Sequence, residues 1–137
     1  MASIFELEQP VFDRMNASIE LVAASDEATT LTAAQSVNSL VVMTPTAGRN
    51  VTTATAAAIV AELGSGVRVG TTFRIILRNQ AAATHAMTLV GGTGVTLDAD
   101  NTNTVAAAST REFIGRVTAI ASGSETVTVY SMPSGTH

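Results

Sequence analysis

Residues 72–79, Thr-Phe-Arg-Ile-Ile-Leu-Arg-Asn, carry the period-two signature of a half-buried strand. Phe73, Ile75 and Leu77 alternate with Arg74, Ile76 and Arg78, so one face is apolar and the other carries charge. The same alternation recurs near the end of the chain, where Val127 and Val129 oppose Thr126, Thr128 and Tyr130. Working outward, short β-branched runs bounded by Gly, Asn, Ser and Thr predict strands over 29–34, 39–44, 85–90, 95–98 and 111–120 as well as 72–79 and 126–132. The exception is 53–63, TATAAAIVAEL. It is rich in Ala, begins on Thr as a plausible cap, stops before Gly64, and places Ala56, Ile59, Val60 and Leu63 on one face, which predicts a single helix laid over the sheet. Gly64-Ser65-Gly66, Gly91-Gly92, Gly94 and Ser122-Gly123-Ser124 read as turns. Many short strands, one helix and no alternation of strands with helices favour a mainly β protein. The expected fold is an antiparallel β-sandwich or jelly-roll-like domain, with a small barrel as a further arrangement.

Composition narrows the chemistry. The 137 residues include 23 Ala and 21 Thr but no Cys and no Trp, and all seven cations are arginines. Without cysteine there is no disulfide framework, thiolate zinc site or thiol nucleophile. Without lysine there is no P-loop lysine, Schiff base or Ser-x-x-Lys pair. A 46% hydrophobic content argues against disorder, and a chain of this length buries about 70% of its unfolded surface as one domain. The net charge of -4 disfavours nucleic acid as a ligand, since that affinity is built on clustered cations. No run approaches the roughly 18 apolar residues of a membrane span, and Glu6 and Glu8 stand where a secretory signal needs a basic start. The chain reads as soluble and unprocessed.

Charge is distributed unevenly. Residues 1–27 hold six acids and Arg14, a net -5, whereas residues 28–137 hold five acids and six arginines, a net +1. The expected division is an acidic N-terminal arm, 1–27, and a β-rich body, 28–137. The arm also contains Phe5, Phe12 and Met15, so it is amphipathic and must bury something. From Pro10 the spacing of Val11, Phe12, Met15, Ile19 and Val22 favours a short helix, while 18–22 also alternate as a strand would.

Catalytic and ligand signatures are sparse. There is no Gly-x-Ser-x-Gly elbow and no His-Glu-x-x-His helix. His85 falls in a predicted strand with no anchored Ser or Asp motif beside it, and His137 reads as a frayed end. Gly91-Gly92-Thr93-Gly94 lacks the Gly-Lys-Ser/Thr of a phosphate loop and reads as a turn. Asp98, Asp100, Asn101 and Asn103 offer hard oxygen ligands. However, a calcium loop opening at Asp98 would need Gly at 103 and an acid at 109, where Asn103 and Ser109 stand, so an Asx-rich turn is expected. With no Trp and one Tyr there is little on which to stack a sugar. No enzyme, no cofactor and no metal is therefore expected. Arg74 and Arg78 share a strand face, and Arg111 and Arg116 bracket another strand; their planar forks suit carboxylates across an interface, with a solvated sheet face as the plain alternative. The candidate interface set is Phe5, Phe12, Met15, Arg74, Arg78, Arg111 and Arg116, with the arm as natural partner of the arginines in the same subunit or the next.

Three stretches together, 69–79 (VGTTFRIILRN), 92–97 (GTGVTL) and 111–130 (REFIGRV running to GSETVTVY), with the Ala-rich helix before them, resemble a domain of tailed-bacteriophage virion proteins. The resemblance spans residues 30–132 and is similar to the small decoration, or cement, proteins of phage capsids. It implies a β-sandwich or jelly-roll-like protein that forms homotrimers on the virion's capsid exterior after synthesis in the host cytoplasm, with the major capsid protein as partner. It implies clamping of neighbouring shell subunits and no catalytic residues. The arm departs from the domain pattern and suits a capsid-gripping or subunit-exchanging element. The alternative expectation is a trimeric phage fibre or spike module that recognises a host glycan.

Overall fold

The structure, a computed structural model, describes residues 18–98 and 102–137. Ten strands and one helix follow in the order β1 (Glu20–Ala23), β2 (Thr29–Thr30), a 3-10 turn (Ala34–Ser36), β3 (Ser39–Met43), β4 (Arg49–Thr52), α1 (Ala56–Leu63), β5 (Thr72–Asn79), β6 (Met87–Val90), β7 (Val95–Leu97), β8 (Thr104–Val105), β9 (Ser109–Ala119) and β10 (Thr126–Thr136). They form a six-stranded sheet, β1-β3-β5-β9-β10-β7, and a four-stranded sheet, β2-β4-β6-β8.

The protein is mainly β, with two sheets sharing one core in a sandwich-like arrangement. Strand direction corrects the expected antiparallel order, because both sheets are mixed. The pairs β1/β3, β3/β5, β2/β4, β4/β6 and β7/β10 are parallel, whereas β5/β9, β9/β10 and β6/β8 are antiparallel. From β1 to β6 the chain alternates between the sheets, so each return to a sheet lays a strand parallel to the last one there. A parallel crossover needs a connection of a dozen or more residues, and here the other sheet supplies it where a helix would in a βαβ unit.

The core follows from strand parity. Val41, Met43, Phe73, Ile75, Leu77, Phe113, Val117, Val127 and Val129 of the larger sheet meet Val51, Met87, Leu89 and Val105 of the smaller one, and Leu31 and Ile59 join the same cluster. Two buried polar side chains, Asn79 and Ser36, are satisfied at the ends of elements. The Asn79 amide donates to the carbonyls of His85 and Val105 and accepts from Ala81 N, pinning the end of β5 to the loops beside it. Ser36 Oγ donates to Thr32 O and accepts from Ala54 N.

Several expected boundaries move. The segment 29–34 pairs over only two residues. Thr32 N then donates to Gln35 Oε1 while Gln35 N donates to Thr32 Oγ1, a reciprocal capping pair that turns the chain into the 3-10 segment. The helix begins later than Thr53: Thr55 is its cap, accepting from Ala58 N, and Gly64 at φ 87° ends it. Thr53 is buried instead, with its hydroxyl accepting from Gly92 N and donating to Ala54 O. Residues 20–23, within the expected arm, form edge strand β1 in register with Ser39–Val42. The chain end is paired as well, with Thr136 opposite Ser109 and His137 N donating to Ala108 O.

The tightest packing lies where Phe73 crosses Gly115, its register partner on β9. A Cβ on Gly115 would fall 2.2 Å from Phe73 Cζ, so the ring occupies the space a side chain would need. Gly115→Ala should therefore lower unfolding stability by about 1–3 kcal/mol through overpacking, read by chemical denaturation. Phe73→Leu in the same background should cost less than the two single changes added together. A Gly115→Ala protein as stable as the parent would mean that the ring does not sit there.

Candidate functional site

The larger sheet has a second face. Residues of opposite parity to the core, Leu40 and Val42 on β3, Ile76 on β5 and Ile114 on β9, are only half-buried, and Leu21 on β1 is 66% exposed. Register places Leu21, Leu40, Ile76 and Glu112 in one row across four strands. A second row runs Arg74, Ile114, Tyr130, and a third Ala23, Val42, Arg78, Thr110. Arg116 stands between Thr72 and Thr128 at the end of the face. The result is an aliphatic band set among arginines, with Tyr130 on its far side.

Of the candidate interface residues, Arg74, Arg78 and Arg116 are brought together on this face. Arg74 Nη1 lies 3.3 Å from Glu112 Oε2, an exposed pair worth about 0–1 kcal/mol. Arg78 and Arg116 have no carboxylate partner among the described residues. Arg111 is not part of the group. It stands opposite the buried Leu77 on the core-facing parity of β9, and its guanidinium donates to Met132 O at 2.6 Å and Ser134 Oγ at 3.2 Å, holding β10 where its register slips. Arg111 and Arg116 stand at i and i+5, and an odd spacing on a strand puts two side chains on opposite faces. Phe5, Phe12 and Met15 lie outside the described residues.

The band's apolar members are missing from the candidate set, although the sequence signals them. Ser39-Leu40-Val41-Val42-Met43 is apolar at both parities, and Ile76 and Ile114 interrupt the polar parity of their strands. A strand apolar on both sides needs cover on both sides.

The other candidate chemistries resolve into structure. Gly91-Gly92-Thr93-Gly94 wraps the start of α1. Thr93 O accepts from Ala56 N, and Cβ atoms on Gly92 and Gly94 would fall within 2.9 Å of the Thr53 and Ala54 carbonyls and of Ala56 Cβ, so the helix start is filled by its own loop. His85 precedes β6 in a turn closed by His85 N on Ala83 O, and its carbonyl serves Asn79. Asp98 N donates to Val129 O at the end of β7, while residues 99–101 of the acidic turn lie outside the described residues. Among the described residues no three His, Cys, Asp or Glu side chains gather to hold a metal ion, and no helix is long and apolar enough to cross a membrane. A cavity of about 270 Å³ beside the end of α1 is lined by Asn38, Leu63, Gly66, Val67, Arg68, Thr71 and Thr72, which include neither a carboxylate nor a histidine.

One charged cluster is strongly organised. Asp26 accepts from Arg49 Nε at 2.8 Å and from the amide and hydroxyl of Thr46, joining the β1–β2 loop to the β3–β4 loop. These bonds, Arg49's first among them, hold the Asp26 carboxyl well below the usual carboxylate range. A depressed folded pKa gives stability that is present above the unfolded value of about 3.9 and is lost as pH falls toward the folded one. The melting-temperature difference between the parent and Asp26→Asn should accordingly be constant from pH 7 to 5 and narrow steadily below pH ~4. A gap as wide at pH 3 as at pH 7 would show that the carboxylate's ionisation is not its source.

No protein-family model, curated protein or solved structure matches this chain.

Proposed function

We propose that the protein is a non-enzymatic structural component of a tailed-phage virion, binding the capsid exterior and stabilising it by clamping neighbouring shell subunits, with its copies joined as a homotrimer. The observation that carries this reading is the outer face of the six-stranded sheet, an aliphatic band of Leu21, Leu40, Ile76 and Ile114 beside Arg78 and Arg116, two arginines without carboxylate partners there. A half-exposed aliphatic band edged by charge has the composition of a contact surface. The stretches that resemble phage virion proteins supply β5, β7, β9 and β10, which are neighbours in that sheet. Shape and burial serve such a role better than chemistry does, because many copies on a shell gain avidity from individually modest contacts.

Heating phage shells with and without the protein tests the reading. The protein should co-sediment with shells and raise their disruption temperature, and Ile76→Glu with Ile114→Glu, at half-buried positions of the outer face, should weaken attachment at least tenfold, the equivalent of about 1.4 kcal/mol. No co-sedimentation, together with an unchanged disruption temperature, would remove the capsid role.

A further inference from the structure

We infer that the cavity between the end of α1 and the start of β5 binds an aliphatic carboxylate, presented either as a free short-chain acid or as the glutamate side chain of a partner. The chain builds this cavity with two successive turns. Gly64, at φ 87°, ends the helix, and its carbonyl accepts from Val67 N. Arg68 N then donates to Thr71 Oγ1 while Thr71 N donates to Arg68 O, which carries the chain into β5. Asn38, just before β3, adds its amide to the same cavity. Its backbone is left-handed, at φ 49°, and its Oδ1 accepts from Arg74 N at 3.2 Å. That bond occupies the amide's oxygen and leaves its NH2 group to donate.

The polar side chains of the cavity can all donate. The Asn38 NH2, the Arg68 guanidinium and the Thr72 hydroxyl have no hydrogen-bond partner among the described residues, and the Thr71 hydroxyl keeps its proton because its oxygen is the acceptor for Arg68 N. Such a set selects a ligand that accepts, and a guanidinium fork matches a carboxylate. Leu63 and Val67, both half-buried, offer an apolar patch to an aliphatic stem. A space of about 270 Å³ falls just below the ~300–1,000 Å³ of drug-sized sites, so it suits a short chain. A second cation stands over the same loop. Arg116, the register partner of Thr72, has Nη2 3.7 Å from where a Cβ on Gly70 would stand. The neighbouring acids leave the cavity open: Glu20 and Glu62 are exposed and do not line it, Glu112 is paired with Arg74, Glu125 accepts from Gly123 N, and Asp98 continues β7 at the far edge of the sheet. Those charges and the C-terminal end of α1 lower the local potential, so recognition rests on the donor set and not on net charge. The site does not depend on the capsid reading.

Titration of the full, isotope-labelled chain with sodium butyrate, followed by amide chemical shifts, tests the site. Butyrate should bind with a Kd on the order of mM, within reach of so small a ligand, and the shifts should be confined to residue 38 and residues 63–72. Butyramide, alike in shape but uncharged, should bind about tenfold more weakly or less. Arg68→Gln, a change at an exposed position, should weaken butyrate by about the same factor. Asn38→Asp should do so too, because an aspartate still accepts from Arg74 N but sets an oxygen where the NH2 stood. N-acetylglutamic acid α-amide separates the two sources: tighter binding than butyrate assigns a partner's side chain, and weaker binding assigns a free acid. Shifts no larger than those from sodium chloride at equal ionic strength, equal binding of butyramide, or unchanged binding by Arg68→Gln would overturn the proposal. Failure of shell binding leaves this site standing, and failure of butyrate binding leaves shell attachment to be judged by sedimentation.

Discussion

Strand β5 is bonded on its two sides to chain running in opposite senses, parallel to β3 and antiparallel to β9. That double pairing joins a wound half, in which the chain alternates between sheets, to a hairpin half in which β9 and β10 run side by side for most of their length. Because strand side chains alternate strictly, fixing Phe73, Ile75 and Leu77 in the core fixes Arg74, Ile76 and Arg78 on the outside. A slip of one residue would bury two guanidiniums and expose three large apolar groups. The register of β5 is thus held by the core, and the outer face inherits its order from that register. Phe73 over Gly115 sharpens the lock, since the ring fits only where β9 presents no side chain.

What the sequence made legible is the part written in parity and in caps. The long strands and the Ala-rich helix stand close to where alternation and threonine caps put them. Strand direction was not legible, because period two is the same for parallel and antiparallel pairs, and the usual helical crossover is replaced by a passage through the second sheet. Strands β4 and β8 are not legible, because Arg-Asn-Val-Thr and Thr-Val are too short and too polar to show alternation, and only pairing within the smaller sheet defines them. The 3-10 turn was legible in principle: Thr32 and Gln35 have the three-residue spacing of a reciprocal cap, and a reading for strands alone passes over it.

The outer face was half legible. Arg74 and Arg78 are visible as i and i+4 on one strand with Ile76 between them, but Leu40 sits in a run apolar at both parities and Ile114 interrupts a polar one, so alternation alone does not join them. Arg111 is the converse case, a cation whose type suits an interface. Its position, opposite Leu77 and beside the register slip of β10, puts its fork to work on main-chain oxygen, where removal would cost hydrogen bonds and no field. Residue type proposes a role, and parity decides whether the residue can fill it.

The charge division changes meaning once β1 is seen in the sheet. Glu20, Asp26 and Glu27 belong with the described strands and loops, and Asp26 is engaged by Arg49. Residues 1–17 then carry -2, and the remaining residues, with eight acids and six arginines, also carry -2. No global attraction exists between the two parts, since their net charges have the same sign. Any attraction must be local, and at physiological ionic strength the screening length of about 8 Å makes local arrangement the quantity that matters. On the outer sheet face three arginines stand within a few strand spacings of one another, with Glu112 among them and Asp98 continuing β7 beside Tyr130, and that short-range imbalance, invisible in a sum over the chain, is created by the register of β5 against β9 and β10.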